Sequence, residues 1–365
     1  MTGIPREIAV AADYERKAQE TLPGDVWAWL SGGAGGETAL YANREALESY
    51  RIYNRILADV SEGHTRTDLL GQTFVHPILL APIGFQRLAH TDGECAVAQG
   101  ADAMGACMVA STLSSFTLED IAVSANSSKW FQLYVQPRRS DTESLIARAE
   151  AAGYSALVVT LDTPVQAMVP RAQRLGFSMP EAVVASNLLG FKPSERIALD
   201  PADSLIFQGV MHEAPGWSDL DWIVKRTRLP VVVKGVSHPD DAARCLEAGA
   251  EGVVVSNHGG RAMDGAPAAI QALGPVRDRL GERATVLFDS GVRSGADIFR
   301  ALALGANAVL VGRLQTCALA VAGALGVAHM LKLLREELEL AMALAGCATL
   351  ADITPDKLCL TGKDA

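Results

Sequence analysis

The sequence is poor in basic charge and in aromatic residues. Its 32 lysines and arginines are outnumbered by 42 acidic residues, so the 365-residue chain has a formal net charge of −10, and only 5% of it is aromatic. Proteins that bind nucleic acids need clusters of basic residues, commonly interleaved with aromatic side chains. We therefore expect no nucleic-acid partner.

The cysteines lack the spacing of a metal or disulfide framework. Zinc sites and disulfide-stapled domains are recognised by short spacings such as CxxC, whereas reduced thiols are typical of the cytoplasm. No such spacing occurs among the six cysteines, which are Cys95, Cys107, Cys245, Cys317, Cys347 and Cys359. The pattern predicts reduced thiols, no bound metal and a cytoplasmic location.

Long uncharged hydrophobic runs are also missing. A membrane-spanning helix needs about 20 consecutive, predominantly apolar residues, and the most apolar stretch, residues 316–334, contains His329 and Lys332. The N-terminus has charges where a signal peptide would have its apolar segment. We expect residues 316–334 to form a buried helix and the protein to have no membrane partner.

Eight short apolar runs of strand length alternate with segments of helical character. Continuous apolar runs are typical of strands covered on both faces of a parallel sheet. Several helical segments end at a glycine such as Gly153, Gly249 or Gly305, which accepts the positive φ of a helix C-terminus. The eight runs are residues 77–84, 106–112, 130–135, 156–162, 230–235, 252–257, 285–290 and 308–313.

This alternation predicts an α/β protein with a (β/α)8 barrel, formed by residues 1–365 as one domain. A doubly wound open sheet is the competing fold, but it would call for a GxGxxG motif after the first strand, where the chain reads APIGFQRL. We expect an N-terminal helical segment (1–70), a long loop after the fourth strand that could serve as a lid (165–216) and a C-terminal helical segment (318–365).

Polar side chains follow six of the predicted strands at their carboxyl ends. Reactive groups of (β/α)8 barrels gather at this face. One charged residue at a barrel rim is more often solvated than functional, but solvation explains the whole set poorly, and the set predicts an active site. Its members are Gln132, Tyr134, Thr160, Asp162, Lys234, Ser256, His258, Arg261, Asp289, Arg293 and Arg313.

The last two predicted strands end in motifs suited to phosphate. Loops seven and eight of such barrels commonly hold phosphate near a helix N-terminus. Here they read DSGVRSG and VGR, so backbone N–H groups of residues 290–293 can approach an anion, Gly312 allows close contact and Arg313 supplies charge. A phosphorylated ligand is therefore predicted.

Several motifs together resemble the FMN-dependent α-hydroxy acid oxidases and dehydrogenases, which include glycolate oxidase, lactate oxidase and mandelate dehydrogenase. The resemblance runs from about residue 10 to 345. It implies the barrel fold, FMN as the cofactor, a small-molecule hydroxy acid substrate and a homotetramer. The motifs are LPGDVWAWLSGGAGGETAL, FQLY, TLDTP, VVVKG, SNHGGR and DSGVRSGADIFRALALGANAVLVGR.

The resemblance assigns a role to each of five residues. His258 corresponds to the base that takes a proton from the substrate, and Asp162 to the carboxylate that stabilises the imidazolium. Lys234 corresponds to the cation beside the flavin edge where reduction builds negative charge. Arg261 corresponds to the guanidinium that binds the substrate carboxylate, and Tyr134 to a phenol facing the reacting oxygen.

The same resemblance implies the FMN contacts. Backbone groups of one loop, side chains at the strand ends, and loops seven and eight around the ribityl chain and phosphate would all take part. The implied residues are Pro82, Ile83, Gly84, Ser114, Gln132, Thr160, Lys234, Ser256, Asp289, Ser290, Gly291, Val292, Arg293, Gly312 and Arg313.

The chain departs from the family pattern where the substrate carboxylate should bind. Trp29 stands where members usually carry a tyrosine, so a phenol contact is altered or lost. The usual DTPxxGRRxxDxRxxF reads DTPVQAMVPRAQRLGF, which puts Met168 and Val169 at the double-arginine positions. Arg171 or Arg174 could reach back instead, although their register argues against a simple replacement.

Losing one charge-assisted contact costs about 1.5–3 kcal/mol, which weakens binding of a small acid such as glycolate or lactate. The substituted side chains, together with Phe116, also make the substrate end more apolar. We expect a larger, aryl-bearing 2-hydroxy acid, or a substrate whose carboxylate rests on Arg261 alone.

Other functions stay open at this point. The same base and flavin could oxidise an amine, a heterocycle or a tailoring intermediate. The chain could also be a non-catalytic flavin-binding protein, or a flavin-free barrel enzyme acting on a sugar phosphate. The electron acceptor, whether oxygen, a quinone or another protein, depends on access to the flavin and is not indicated by any motif.

Overall fold

The computed structural model describes residues 3–165, 167–192 and 198–361. Its helices are α1 (Asp13–Thr21), α2 (Gly24–Ser31), α3 (Thr38–Ser49), α4 (Gly93–Ala103), α5 (Leu118–Val123), α6 (Arg139–Ala151), α7 (Pro170–Arg174), α8 (Trp217–Arg226), α9 (Pro239–Glu247), α10 (Ala269–Leu280), α11 (Gly295–Ala303) and α12 (Arg313–Ala345). Its strands are β1 (Tyr50–Ile52), β2 (Thr67–Leu69), β3 (Gln72–Phe74), β4 (Ile78–Leu80), β5 (Met108–Ser111), β6 (Lys129–Leu133), β7 (Leu157–Thr160), β8 (Val231–Val236), β9 (Gly252–Val255), β10 (Thr285–Phe288), β11 (Ala308–Val311) and β12 (Leu358–Leu360).

Strands β4 to β11 close into a parallel barrel in chain order. Closure is made by β11 on β4, where Val309 pairs with Ile78 and Val311 with Leu80. Each of the eight predicted apolar runs contains one barrel strand, so the predicted (β/α)8 fold is confirmed. The carboxyl ends of all eight strands therefore meet at one rim.

Alternate residues of the barrel strands face two separate apolar layers, as the twofold period of a strand requires. The inner layer fills the barrel with one residue from each strand, namely Leu79, Val109, Trp130, Val158, Val232, Val254, Leu287 and Leu310. Leu69 and Phe74 of the β2–β3 hairpin pack against the same layer. The outer layer packs against the surrounding helices.

Both terminal segments contain strands that the sequence reading did not predict. Residues 1–70 were expected to be helical, yet after α1, α2 and α3 comes β1, which pairs antiparallel with β12 near the C-terminus. Residues 318–365 were also expected to be helical, yet α12 ends before Gly346, which has φ 70°. The partners in this pair are about 300 residues apart, so local periodicity cannot reveal them.

Helix α12 has the length and apolarity of a membrane span, with a mean hydropathy of 1.8 in its most apolar window, contrary to the expectation that no such run exists. Of that window 56% is buried inside the molecule, where the helix packs on α1, α4 and α11. The helix is also interrupted at Ala322 and Gly323, which have non-helical backbone angles. These contacts are those of a core helix.

Between β7 and α8, the described part of the chain contains only short helical pieces. Helix α7 is followed by single turns at Ser186–Leu188, Leu205–Gly209 and Val210–Glu213. The expected long loop at 165–216 is thus present, although residues 166 and 193–197 lie outside the described part. Its action as a lid stays a prediction.

Candidate active site

An open cavity of about 1260 Å³, its mouth included, lies at the carboxyl ends of the barrel strands. Most of the residues predicted to bind cofactor or substrate line it. These are Trp29, Pro82, Ile83, Gly84, Tyr134, Lys234, His258, Arg261, Asp289, Ser290, Gly291, Val292, Arg293, Gly312 and Arg313.

The loop after β9 turns sharply because three consecutive residues have positive φ: His258 (58°), Gly259 (64°) and Gly260 (75°). A Cβ on Gly260 would lie 2.5 Å from the backbone nitrogen of Leu40, and one on Gly259 would lie 2.6 Å from Nη1 of Arg313. Only glycine fits at these two positions. The turn brings His258 and Arg261 to the same cavity.

His258 and Asp162 form a pair, with Nδ1 of the imidazole 3.0 Å from Oδ1 of the carboxylate. Burial alone would raise the pKa of Asp162. The charge and hydrogen bond of His258 and the charge of Lys234 outweigh this effect, so the pKa of Asp162 lies below its usual range. With Nδ1 bonded to this carboxylate, Nε2 is the nitrogen left to exchange a proton with a ligand.

Gly235, which the sequence reading passed over, makes room for this pair. Its φ is 99°, and a Cβ on it would lie 2.3 Å from Cγ of Asp162. The glycine of the VVVKG motif is therefore required for the carboxylate to approach.

Lys234 is a buried cation held at fixed distances. Its Nζ lies 2.8 Å from Oδ2 of Asp289 and donates to Oγ of Ser256 at 2.9 Å. Burial lowers the pKa of Lys234, but the charges of Asp289 and Asp162 raise it more, so the net pKa lies above the usual range. The ammonium is protonated throughout the neutral range and can stabilise negative charge that develops beside it.

Arg261 is anchored by backbone rather than by an acid. Its Nη1 donates to the carbonyl oxygens of Trp29 and Gly32, both at 2.8 Å. No acidic group of the described residues forms a salt bridge with it, and burial lowers its pKa to about 10. It remains charged at neutral pH, and the rest of its guanidinium can bind the carboxylate of a ligand.

Two more arginines line the same cavity, and Arg313 lies near Arg261, because both donate to the carbonyl oxygen of Gly32. Arg313 donates to three backbone carbonyls, and burial together with the neighbouring charges of Arg261 and Arg293 lowers its pKa to about 9. Arg293 forms a two-point contact with Glu15, at 2.7 Å and 3.0 Å. Of the three guanidinium groups that line the cavity, Arg293 is paired with a carboxylate, while Arg261 and Arg313 form no salt bridge with the described residues, and this excess of positive charge favours binding of an anion. No motif pointed to Glu15.

Trp29 and Phe85 line the cavity beside Arg261, and Phe177 packs against Trp29. The Trp29 ring stacks on Phe177 at 5.4 Å between centroids and meets the edge of Phe85 at 6.3 Å. The Arg261 guanidinium lies 5.3 Å from the Trp29 ring. Phe85 has φ 56°, an uncommon value for a residue other than glycine. The sequence reading missed both phenylalanines because neither belongs to a charged motif.

Two residues expected at the substrate end lie elsewhere. Met168 is 69% exposed and does not line the cavity, because the adjacent Val169 is the side chain that packs against Gly32. Phe116 packs near Arg87, also off the cavity wall. The apolar character expected of these positions is supplied by other side chains.

The two arginines considered as replacements for the missing guanidinium do not reach the cavity. Arg171 is bound to Glu37 at 2.5 Å, to Ser31 at 3.2 Å and to Tyr41 at 3.3 Å. Arg174 is exposed to solvent. Arg261 is therefore the guanidinium available for a substrate carboxylate beside Trp29.

Of the remaining predicted FMN contacts, two serines are used within the protein. Ser114 accepts from the backbone of Ser111, which itself lines the cavity, and Ser256 links Lys234 to His258. Gln132 and Thr160 differ from them. The Nε2 of Gln132 and the Oγ1 of Thr160 are buried, with no partner among the described residues.

These observations fit FMN. Buried polar atoms without partners normally have a ligand or water, and Gln132 and Thr160 stand at the ends of neighbouring strands. Lys234 would supply the cation for the ring, and Gly291, Gly312 and Arg313, which line the same cavity, would bind the phosphate. Together these residues can hold FMN.

A barrel rim that joins a histidine–aspartate base, a buried lysine and an anion-binding end defines a flavin-dependent oxidoreductase. The family model described as FMN-dependent dehydrogenase matches residues 18–360. The chain belongs to this family, and its reaction is the FMN-dependent oxidation of a 2-hydroxy acid.

Relatives agree with this assignment. The chain is 52% identical to an L-lactate oxidase of Alicycliphilus denitrificans, covering 97% of each protein. It is 42% identical to a 4-hydroxymandelate oxidase of Amycolatopsis orientalis, covering 92% of this chain and 94% of the relative. A crystal structure of mandelate oxidase with benzoyl-formic acid matches with a TM-score of 0.86 and 40% identity, over 96% of this chain and 98% of that one.

Asp162→Asn is expected to lower kcat, because a neutral amide cannot stabilise the imidazolium that forms when His258 takes a proton. A hydrogen bond to a charged group contributes about 1.5–3 kcal/mol, or roughly 10- to 150-fold in rate. Steady-state kinetics of this variant beside the exposed Asp92→Asn control would measure the effect. Equal kcat for both variants would contradict the assigned role.

Proposed function

We propose that the protein oxidises a 2-hydroxy acid bearing an aryl side chain to the 2-oxo acid, with molecular oxygen as the electron acceptor. The observation that supports an aryl substrate is the aromatic wall that Trp29 and Phe85 form beside Arg261, with Phe177 packed against Trp29. Such a wall can pack against an aryl ring, and glycolate has no side chain to fill the space. Relatives named mandelate and 4-hydroxymandelate oxidase also support it.

Each polar residue of the site has a task in this reaction. Arg261 binds the carboxylate, Tyr134 faces the reacting oxygen, and His258 takes up a proton from the substrate at Nε2. Asp162 holds the imidazole and stabilises its charged form. FMN, when bound, would accept the two electrons together with the second hydrogen that the substrate loses, as a hydride or its equivalent. The ammonium of Lys234, which is fixed by Asp289, would stabilise the negative charge that develops on the flavin when it is reduced.

A substrate panel tests this proposal. Glycolate, lactate, 2-hydroxyoctanoate and mandelate are mixed anaerobically with the protein, and bleaching of the flavin absorbance is followed. We expect the fastest bleaching with mandelate. Fastest bleaching with glycolate would refute it, and bleaching by amines but by none of the acids would favour the alternative substrate class.

Lactate is a second candidate, favoured by the L-lactate oxidases that share 52%, 43% and 42% identity with this chain. Lactate has a methyl group where glycolate has only a hydrogen, so it fills more of the space beside the aromatic wall. Faster flavin bleaching with lactate than with mandelate in the same panel would favour lactate as the substrate.

Val169→Arg is expected to improve the use of small acids. Val169 packs against Gly32, whose carbonyl anchors Arg261, so a guanidinium placed there can reach the bound carboxylate. Gaining one charge-assisted contact raises kcat/KM for glycolate by about tenfold or more. Met168→Arg is the matched control, because that side chain points to solvent. Identical changes in both variants would show that general surface charge is responsible.

Assembly and location complete the proposal. We propose a homotetramer in the cytoplasm, without a membrane partner. The family resemblance supports the tetramer, the six free thiols support a reducing compartment, and the burial of α12 supports its role as a core helix. Light scattering of the purified protein measures the assembly, and a monomer would contradict it.

Oxygen consumption during mandelate turnover tests whether molecular oxygen is the electron acceptor.

A further inference from the structure

Thr316 contributes to the wall of the cavity, and no motif pointed to it. It lies in the first turns of α12, one turn after Arg313, and is 2% exposed. Its Oγ1 is buried and has no hydrogen-bond partner among the described residues. A buried hydroxyl without a partner is uncommon and costs about 1–3 kcal/mol. This atom therefore needs a partner that the described chain does not supply.

The hydroxyl is not satisfied in the way most helical threonines are. Threonine in a helix commonly donates to the carbonyl one turn earlier. That carbonyl belongs to Gly312; it accepts from the backbone N–H of Gln315, and the Thr316 hydroxyl does not donate to it. Gln132 and Thr160 at the strand ends have unpartnered buried atoms in the same way, and the resemblance implied FMN contacts for both. Other buried side-chain atoms of the described residues also lack partners, but Thr316 is distinguished from them because it lines the cavity.

The surrounding charges indicate which part of FMN this hydroxyl would meet. Thr316 lines the cavity together with Arg293, Arg313 and Glu15. Glu15 already occupies Nε and Nη2 of Arg293, and its negative charge repels a phosphate. The charges of Arg261 and Arg293 also disfavour the charged form of Arg313. An uncharged hydroxyl can donate a hydrogen bond to phosphate without adding to the repulsion among the arginines.

We propose that Thr316 donates its hydroxyl hydrogen to the FMN phosphate and is a cofactor-binding residue. Thr316 follows the VGR motif in the sequence. Its contact would therefore be additional to the phosphate contacts that the family resemblance implies for Gly312 and Arg313. The proposal concerns the cofactor alone and is independent of which hydroxy acid is oxidised.

The experiment compares binding of FMN and riboflavin, which lacks the phosphate. Apoprotein is prepared for the unchanged chain, Thr316→Val, Thr316→Ser and the control Thr73→Val, an exposed threonine of the β2–β3 hairpin. Affinities are measured by quenching of flavin fluorescence. We expect Thr316→Val to weaken FMN about tenfold, the loss of one hydrogen bond to a charged group, and to leave riboflavin unchanged. Thr316→Ser, which keeps the hydroxyl, should resemble the unchanged chain.

Two results would overturn the proposal. Unchanged FMN affinity in Thr316→Val would show that the hydroxyl contributes nothing, and an equal loss for FMN and riboflavin would place its contact on the ring or ribityl chain. Thr316→Ala provides a second variant if the valine side chain prevents folding. The phosphorus-31 resonance of bound FMN supplies a further readout, and it should shift in Thr316→Val but not in Thr73→Val.

Discussion

His258→Ala is expected to lower kcat by about 10²–10⁴-fold, the usual contribution of a positioned acid–base group. The variant removes the nitrogen that takes the substrate proton, while Arg261 and the aromatic wall beside it are untouched. Binding should therefore change little, and the loss should fall on the chemical step. Asp162 would also lose the partner to which it is bonded at 3.0 Å, so its carboxyl pKa should rise, although the charge of Lys234 continues to lower it.

Stopped-flow reduction of the flavin under anaerobic conditions separates this chemical step from reoxidation. The matched control is His212→Ala, an exposed histidine of the loop between β7 and β8. Retained flavin absorbance and an unchanged melting temperature would show that the variant is folded. Flavin reduction in His258→Ala at the rate of the control would contradict the role of the imidazole as base.

Arg261→Lys is expected to lower kcat/KM for the acid substrate by about 10- to 150-fold, although it preserves the charge. Arg261 uses Nη1 to hold the carbonyls of Trp29 and Gly32, and its remaining N–H groups are free to bind the carboxylate. A single ammonium cannot make both sets of contacts in the same geometry. Arg171 does not replace it, because Arg171 is bound to Glu37.

The dependence on substrate charge makes this result specific. Arg261→Lys should impair mandelate far more than its uncharged methyl ester, whereas Arg174→Lys, at an exposed position of α7, should impair neither. Equal losses for acid and ester in Arg261→Lys would show that the arginine supports the fold of the loop rather than the carboxylate.

The sequence sufficed for the features that depend on local pattern. The barrel strands are continuous apolar runs, so their positions and parallel order could be read directly, and the rim residues follow them. The His258–Asp162 pair could be expected because β7 and β9 both end at this rim.

Other features arise from contacts between distant segments, which no local pattern encodes. Glu15 meets Arg293 across 278 positions of sequence, and β1 meets β12 across about 300. Phe177 stacks on Trp29 because the chain after α7 returns to α2. The exposure of Met168 depends on which of two adjacent side chains turns inward, and a motif comparison cannot decide that.

The central claim is that His258 and Arg261 hold a 2-hydroxy acid for oxidation by FMN. Its most direct measurement is a single anaerobic turnover of the purified yellow protein with mandelate and with mandelate deuterated at C2. The account predicts complete flavin bleaching with stoichiometric benzoylformate, and slower bleaching by the deuterated acid. Flavin that stays oxidised in the presence of every 2-hydroxy acid, while remaining bound, would contradict it.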